Sequence, residues 1–328
     1  MIKSLDLNGF KSFVSDTIDF GNLTLLTGLN SSGKSSVIQS LLMLQNAAHN
    51  KKILLEGHGG VKELTNPYSK DGVNIMVHLE DDAYIEIQNE VSNRFNLKTF
   101  PIIIYIGADR FGPETSIPII SGSDKLGKRG ENIFKVIELN ADKLIPEILR
   151  HPDSEGDTFL FNLRAWLGVI SPNVKFESKL QEMSDSSYGT FNEHRAKNVG
   201  FGLSYSLPVI TALLLGSVTP NSLVIIENPE AHLHPKGQTA IANLIGKCID
   251  SGIQVVIETH SDHLFDGIRI YAKNSQSDFH NKVRMYWFEL DNNKNTEVQA
   301  IQMDGNGRIN DWPKGMFDQF EVNAGKLL

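Results

Sequence analysis

Residues 28–35 read Gly-Leu-Asn-Ser-Ser-Gly-Lys-Ser, and they constrain the fold more than any other stretch of the chain. An apolar run, Leu23-Thr24-Leu25-Leu26-Thr27, leads into them, and a segment with helical spacing follows from about 36 to 48. Every fixed position of G-x-x-x-x-G-K-[ST] is filled, in strand–loop–helix order. Gly28 and Gly33 let the backbone curl so that successive N–H groups converge on one anion. Lys34 has the reach for β- and γ-phosphates, and the Ser35 hydroxyl suits Mg²⁺. The following helix turns its positive end toward the same anion. The candidate phosphate-binding set is therefore Asn30, Ser31, Ser32, Gly33, Lys34, Ser35 and Ser36. The competing reading is a Gly/Ser turn that binds nothing.

A second constellation lies 200 residues on. The apolar run Leu223-Val-Ile-Ile226 ends in Glu227-Asn228-Pro229-Glu230. An acid at the C-terminal end of a buried strand faces the crevice where α/β sheets bind ligands, and it can hold Mg²⁺ or its waters. The short β-branched run Ile253–Ile257 ends in Glu258-Thr259-His260-Ser261, which places a histidine at the tip of a neighbouring strand. A histidine there can hydrogen-bond a γ-phosphate or an attacking water. Glu227, Asn228, Glu230 and His260 are the candidate catalytic residues, with Ser35 and Glu227 as metal ligands.

Between and around these motifs the spacing predicts a hairpin over Met1–Phe20 broken near Asn8-Gly9. Strands are expected at Val73–Leu79, Tyr84–Gln88 and Ile102–Ile106, together an antiparallel lobe. Helical spacing recurs at Ile133–Leu139, Leu144–Leu149 and Phe159–Ile170, whereas Ser184–Gly189 is polar and reads as mobile. The second half alternates helix and strand: Val209–Leu215, Leu223–Ile226, Gln238–Ile249, Ile253–Ile257 and His263–Tyr271. Such order argues for a parallel sheet covered on both faces. Val283–Leu290 and Val298–Met303 close the pattern as a strand pair.

A net charge of −8 gives no electrostatic support for a dedicated nucleic-acid binder. One cysteine, Cys248, excludes an intrachain disulfide and a multi-cysteine zinc site, and fits a reducing cytoplasm. No run approaches the roughly 18 apolar residues of a membrane span, and the N-terminus opens on a strand pattern instead of a signal peptide. His232, His234, His260 and His263 with Glu227 or Glu230 can be sketched as a metal cluster, but their spacing is not specific for zinc. Asp262 reads as the cap of the helix after it. The cluster Lys125-Leu-Gly-Lys128-Arg129 reads as a solvated loop, and Trp312, Phe317 and Phe320 as a tail docked on the core.

The order of these motifs resembles ABC-type ATPase heads. More narrowly, Glu-Asn-Pro-Glu-Ala-His-Leu-His-Pro (227–235) and Glu-Thr-His-Ser-Asp (258–262) look like the overcoming-lysogenisation-defect (OLD) and RecF-like group of stand-alone prokaryotic ATPases. The opening Leu7-Asn8-Gly9-Phe10-Lys11-Ser12-Phe13 is similar to that group's usual start. The tail Trp312-Pro-Lys-Gly-Met-Phe-Asp-Gln319 resembles one of its subfamilies. The resemblance implies an α/β P-loop NTPase of ABC-ATPase type, a mixed sheet with an antiparallel β lobe and an inserted helical lid. Within a single domain it suggests a phosphate-loop and β lobe over 1–124 and the lid over 125–198. A core carrying the signature segment, the strand carboxylate and the switch histidine then spans 199–303, with a tail over 304–328.

It also implies roles. ATP and Mg²⁺ would be held by residues 28–36 with Glu227, Ala231–His234 would meet a partner subunit, and His260 would be the switch histidine. The signature segment falls at Val199-Gly200-Phe201-Gly202-Leu203 with Ser204 just beyond, so Gly200, Gly202 and Ser204 are its candidate γ-phosphate contacts. Gly200 stands where the family has serine. Gln45 and Asp109/Arg110 are the candidates for the family's Gln-loop.

Asn228 occupies the position of the family's general-base glutamate, and an amide orients water without deprotonating it. Two readings stay open. Either Glu230 serves as base, or hydrolysis is slow and nucleotide mainly holds a head-to-tail homodimer closed. The function classes are a regulatory ATPase acting on a separate effector, as in phage defence, and a DNA-repair or DNA-end-binding RecF-like ATPase. The acidic balance weighs against the second. A transporter motor is disfavoured by the Asn-Gly-Phe-Lys start and the His-Leu-His-Pro loop. The residues after Asp304 are too few for an added nuclease domain.

Overall fold

The computed structural model describes residues 1–275 and 277–327. The chain divides into two compact units, one of Met1–Ile103, His280–Asp304 and Arg308–Leu328, the other of Ile104–Phe279 and Gly305–Gly307.

In the first unit, five antiparallel strands lie in the order Ser15–Asp19, Ile2–Asn8, Asn74–Leu79, Tyr84–Gln88, Val91–Phe95. Period-two burial puts Leu5, Leu7, Ile75, Val77, Ile85 and Ile87 inside. Ile2 joins the same face despite lying three residues before Leu5, because the register shifts between Ile2 and Ser4. The helix Lys34–Ala48 packs on the middle of this sheet and on the strand Leu23–Gly28, which is buried throughout. That strand pairs in parallel with Val283–Leu290, which in turn pairs antiparallel with Thr296–Ile301. The fifth strand, Val91–Phe95, is unmarked in the sequence because it is a polar, exposed edge. The tail divides: Met316 is buried, but the helix Gln319–Leu327 buries none of its described residues and leaves Phe320 exposed.

In the second unit, Ser222–Glu227 and Gln254–Glu258 run parallel with Glu227 opposite Glu258. Ile102–Ile106 lies beside Ser222–Glu227, not in the antiparallel lobe where its spacing placed it. An apolar run of five suits a buried strand in either sheet, and only the long-range partner decides. The helices Pro235–Asp250 and Asp262–Asn274 pack on each other. The helix expected from Val209 begins at Phe201 and runs to Val218, with Pro208 inside it. Its 18 residues have a mean hydropathy of 1.6, so the expectation that no apolar run reaches the length of a membrane span is corrected. Two-thirds of it (67%) is buried in the unit's own core.

Residues 125–198 hold the helices Ile133–Asn140 and Phe159–Ile170, and also the paired strands Phe176–Gln181 and Ser186–Phe191. The polar stretch read as mobile is thus a strand. Its small residues face inward, because Ser187 donates to the Ile117 carbonyl (3.0 Å) and a Cβ at Gly189 would come within 2.6 Å of the Phe134 ring.

Lys125, Lys128 and Arg129 lie in a loop in which both lysines are exposed, as expected, but Lys128 and Arg129 are tied to the segment 107–111. The Gly107 and Phe111 amides donate to their carbonyls (2.9 Å each), and the Arg129 guanidinium lies 4.3 Å from the Phe111 ring centroid.

The helix Asp262–Asn274 is capped by Ser261, whose Oγ accepts from the Leu264 amide at 3.0 Å, not by Asp262. Ser261→Ala is expected to cost about 1 kcal/mol in a denaturant melt, and Asp262→Ala clearly less. Equal losses from the two would refute the assignment of the cap.

Candidate functional site

Two clusters carry chemistry, one in each unit. In the first unit the strand Leu23–Gly28 delivers the loop and the helix Lys34–Ala48 leaves it. Leu29, Asn30, Ser31 and Ser35 are exposed, whereas Ser32, Gly33, Lys34 and Ser36 are buried. Gly33 has φ +110° and stands at the helix start, which no side chain among the described residues caps. Gly28 has φ +143°. The Lys34 ammonium is folded over the loop and donates to the carbonyls of Gly28 (3.1 Å) and Leu29 (2.6 Å). The Ser32 hydroxyl also donates to the Leu29 carbonyl, at 2.7 Å. These bonds hold the loop in a cradle with its tip open to solvent, the arrangement a phosphate chain needs.

A brace missing from the sequence reading comes from elsewhere in the chain. The Thr296 hydroxyl donates to the Ser32 carbonyl (2.9 Å) and lies 2.6 Å from the Ser12 hydroxyl, while the Thr296 amide donates to the Ser12 carbonyl (2.8 Å). A Cβ at Gly33 would stand 2.6 Å from that Thr296 hydroxyl and 3.0 Å from the Phe13 ring. Ser12, Phe13 and Thr296 therefore shape the cradle. Nothing local in the sequence marks Thr296, because it acts through strand pairing.

In the second unit the strand Ser222–Glu227 ends at its acid. The Tyr105 hydroxyl donates to Glu227 Oε1 (2.8 Å) and the Ala108 amide to Oε2 (3.1 Å). Burial and the Glu227 charge push the Tyr105 phenol well above its usual range, so it stays a donor. Past the strand the chain turns sharply: Asn228 takes φ +45° and His232 φ +61°. The Glu230 carboxylate folds back, and its Oε1 accepts from the His260 amide at 3.0 Å. Burial raises the Glu230 pKa, against bonds from His260 and Thr259 and the charge of Arg110. Glu230 Oε2 and Asn228 Oδ1 are both buried with no hydrogen-bond partner among the described residues. Two orphaned acceptors at the tip of one strand suit a water or a hydrated cation, so the donor set fits Mg²⁺ chemistry.

The segment Tyr105–Arg110, of which the sequence singled out only Asp109/Arg110, as Gln-loop candidates, is the main support of this tip. Arg110 is 3% exposed. It donates to the carbonyls of Glu227 and Asn228, each at 2.6 Å.

Gly200 and Gly202 flank the start of the helix Phe201–Val218, but Ser204 lies a turn inside it with its hydroxyl buried and unpartnered among the described residues. Phe201 is 54% exposed and stacks near His232 (ring centroids 5.5 Å apart), which also packs on Tyr205 (4.3 Å). His234 caps the next helix, its ring accepting from the Lys236 amide at 3.3 Å. His232 and His234 are thus occupied by stacking and capping, and no group of three metal-ligating side chains assembles among the described residues.

Residues 23–266 match the family model described as "AAA domain, putative AbiEii toxin, Type IV TA system". The chain belongs to that family. Residues 280–327 of this AAA-domain chain match a second model, "Protein of unknown function (DUF3696)". No curated protein matches the sequence.

Among solved structures, the chain is similar to an Smc head bound to the C-terminal winged-helix domain of ScpA, with 14% identity, 92% of this chain and 98% of that one covered, and a TM-score of 0.55. It is also similar to the SMC head domain from Thermotoga maritima, at 12% identity, covering 92% and 99% of the two chains, with a TM-score of 0.50. An Smc head with an extended coiled coil, bound to the C-terminal domain of ScpA derived from Pyrococcus furiosus, is 11% identical, with 99% of each chain covered and a TM-score of 0.54. The fold is that of an ABC-type P-loop ATPase head, as the motif order implied.

Proposed function

We propose that this AAA-domain chain is a Mg²⁺-dependent ATPase in which Glu230 is the general base. The observation that carries the reading is Glu230 Oε2, buried, without a partner among the described residues, and on a carboxyl whose pKa is raised by burial. Residues 28–36 bind the phosphates, with Lys34 placing a fixed positive charge beside the γ-phosphate. Ser35 and Glu227 would hold Mg²⁺, which supplies charge neutralisation on the phosphate oxygens. The Asn228 amide and His260 orient the water. Glu230 takes the water's proton as its oxygen bonds the γ-phosphorus, and the bond to the β,γ-bridging oxygen breaks to release ADP.

We place the chain in the OLD/RecF-like group on the motif and tail resemblance, as a cytoplasmic protein. Turnover is slow because the carboxylate is displaced from position 228, and ATP closes a head-to-tail homodimer in which Gly200 and Gly202, at the start of the helix, complete the partner's site, whereas the buried Ser204 hydroxyl takes no part in it. Exposed Phe201 beside His232 supports a contact surface at that end of the helix. The dimer regulates a separate effector protein in anti-phage defence, a role that rests on the motif resemblance to the OLD/RecF-like group. The net charge of −8 gives no electrostatic indication of a nucleic-acid partner, although a local basic stripe would suffice for one.

Light scattering of the apo and Mg·ATP forms, with phosphate release followed in parallel, tests the dimer. A doubling of mass with ATP supports it; a monomer under both conditions sinks it. For the base, Glu230→Gln is expected to lower kcat about 100-fold. The wild-type rate should fall with decreasing pH at a higher pH than an ordinary carboxylate dictates, because Glu230 must be ionised and burial raises its pKa. That acidic limb should vanish in Glu230→Gln. Asn228→Glu, which restores a carboxylate at the family position, is expected to raise turnover roughly tenfold. A wild-type rate in Glu230→Gln would remove Glu230 from the mechanism.

A further inference from the structure

Arg110 is nearly fully buried, yet among the described residues its hydrogen bonds go to backbone carbonyls and none to a carboxylate. Its Nη1 donates to the carbonyls of Gly107 (3.1 Å) and Glu227 (2.6 Å), and its Nη2 to the carbonyl of Asn228 (2.6 Å). The two carbonyls of 227 and 228 flank the point where the strand ends and the chain enters φ +45° at Asn228. A left-handed non-glycine residue is held only where its surroundings over-determine it. The planar guanidinium fork is the group that does so here: it spans two consecutive carbonyls with fixed geometry, which an ammonium cannot match. The turn beyond depends on the same atom, since the Ala231 amide donates to the Asn228 carbonyl at 3.1 Å.

Arg110 also brings a positive charge to a patch of acids. Glu230, Tyr205 and Glu227 each act on the guanidinium, and its ring neighbour is Tyr205, at 5.7 Å. Glu230 is faced by Arg110, by the His260 amide and by the Thr259 hydroxyl. The backbone of the same segment, at Ala108, donates to the Glu227 carboxylate. That segment is tied in turn to Lys128 and Arg129 by the Gly107 and Phe111 amides.

We infer that Arg110 is a positioning residue for ATP hydrolysis. Its fork fixes the 227–228 turn from which Asn228 and Glu230 present the oxygens that lack partners among the described residues, and it sets a positive charge beside Glu230. This rests on the proposed role of Glu230. It assigns Arg110 a task different from that of a Gln-loop residue, because its bonds go to backbone and not outward to a ligand.

The test compares Arg110→Lys and Arg110→Met with wild type in the full chain. Hydrogen exchange over residues 227–233, melting temperature, kcat, KM and the pH profile are read for each. Both variants are expected to exchange at least tenfold faster at the Ala231 amide. Arg110→Lys should lose about 10-fold in kcat with KM changed less than threefold and the acidic limb in place. Arg110→Met should lose more, about 100-fold, with the limb moved to higher pH because Glu230 has lost its neighbouring positive charge. Wild-type exchange in both variants overturns the proposal whether or not the protein turns over ATP. Faster exchange with unchanged kcat also overturns it. Absence of phosphate release from wild type itself would instead defeat the ATPase reading, leaving the exchange result to decide the structural role of Arg110.

Discussion

Replacing Lys34 by Ala is expected to lower phosphate release at least 100-fold while leaving circular dichroism nearly unchanged and lowering the melting transition by only a few degrees. The ammonium is almost fully buried (3% exposed), resting on two carbonyls of its own loop. A donor fixed before the substrate arrives needs no reorganisation when charge develops on the phosphate, and removing one such donor typically costs about 10²–10³ in rate. The folded state loses those loop hydrogen bonds, on the order of 1–3 kcal/mol. Lys34→Arg should fail nearly as badly, because a planar fork does not fit a place built for a compact ammonium. Phosphate release within threefold of wild type in Lys34→Ala would separate this loop from hydrolysis altogether.

Gly28→Ala should be the most damaging substitution for stability. The residue has φ +143°, and a Cβ there would lie 2.1 Å from the Phe288 carbonyl oxygen. That oxygen belongs to the partner strand, with Gly28 in register opposite Phe288, so neither backbone can retreat without breaking the ladder. Strain of this kind exceeds about 3 kcal/mol, enough to lower the melting temperature by roughly 5 °C or more. At Gly33 the obstacles are the Thr296 hydroxyl and the edge of the Phe13 ring, side chains that can yield by rotation. Gly33→Ala should therefore fold better than Gly28→Ala and lose nucleotide binding first. Thermal melts of the two variants with and without Mg·ATP separate the effects; a Gly28→Ala protein as stable as wild type would contradict the strand-contact argument.

Short-range chemistry made much of this molecule readable. The phosphate loop is marked by glycines whose spacing serves backbone geometry, and the strands that end at Glu227 and Glu258 are marked by apolar runs closing in acids. The helix Phe201–Val218 was legible only from its middle, because Gly202, Ser204 and Pro208 are poor helix formers that burial and packing override. Ser186–Phe191 looked unstructured because its inward face is small and polar, filled by the Phe134 ring and a hydrogen bond from Ser187. Ile102–Ile106 was recognisable as a strand but not by its sheet, since five apolar residues carry no information about their neighbour.

The sequence by itself determined the identity of the phosphate loop, the acids and histidine at the strand ends, and the order in which they occur. Those depend on residue type and local spacing, which pattern records directly. Only the tertiary structure decided that Thr296 braces the loop, that Ser261 caps its helix, and that Arg110 holds the turn after Glu227. Each of these is a hydrogen bond whose partner is selected by folding: the Arg110 donors and the Glu227 carbonyl are 117 residues apart along the chain and 2.6 Å apart in space. A buried arginine bonding backbone carbonyls leaves no motif, because every residue supplies a carbonyl and the fold alone selects which ones it meets.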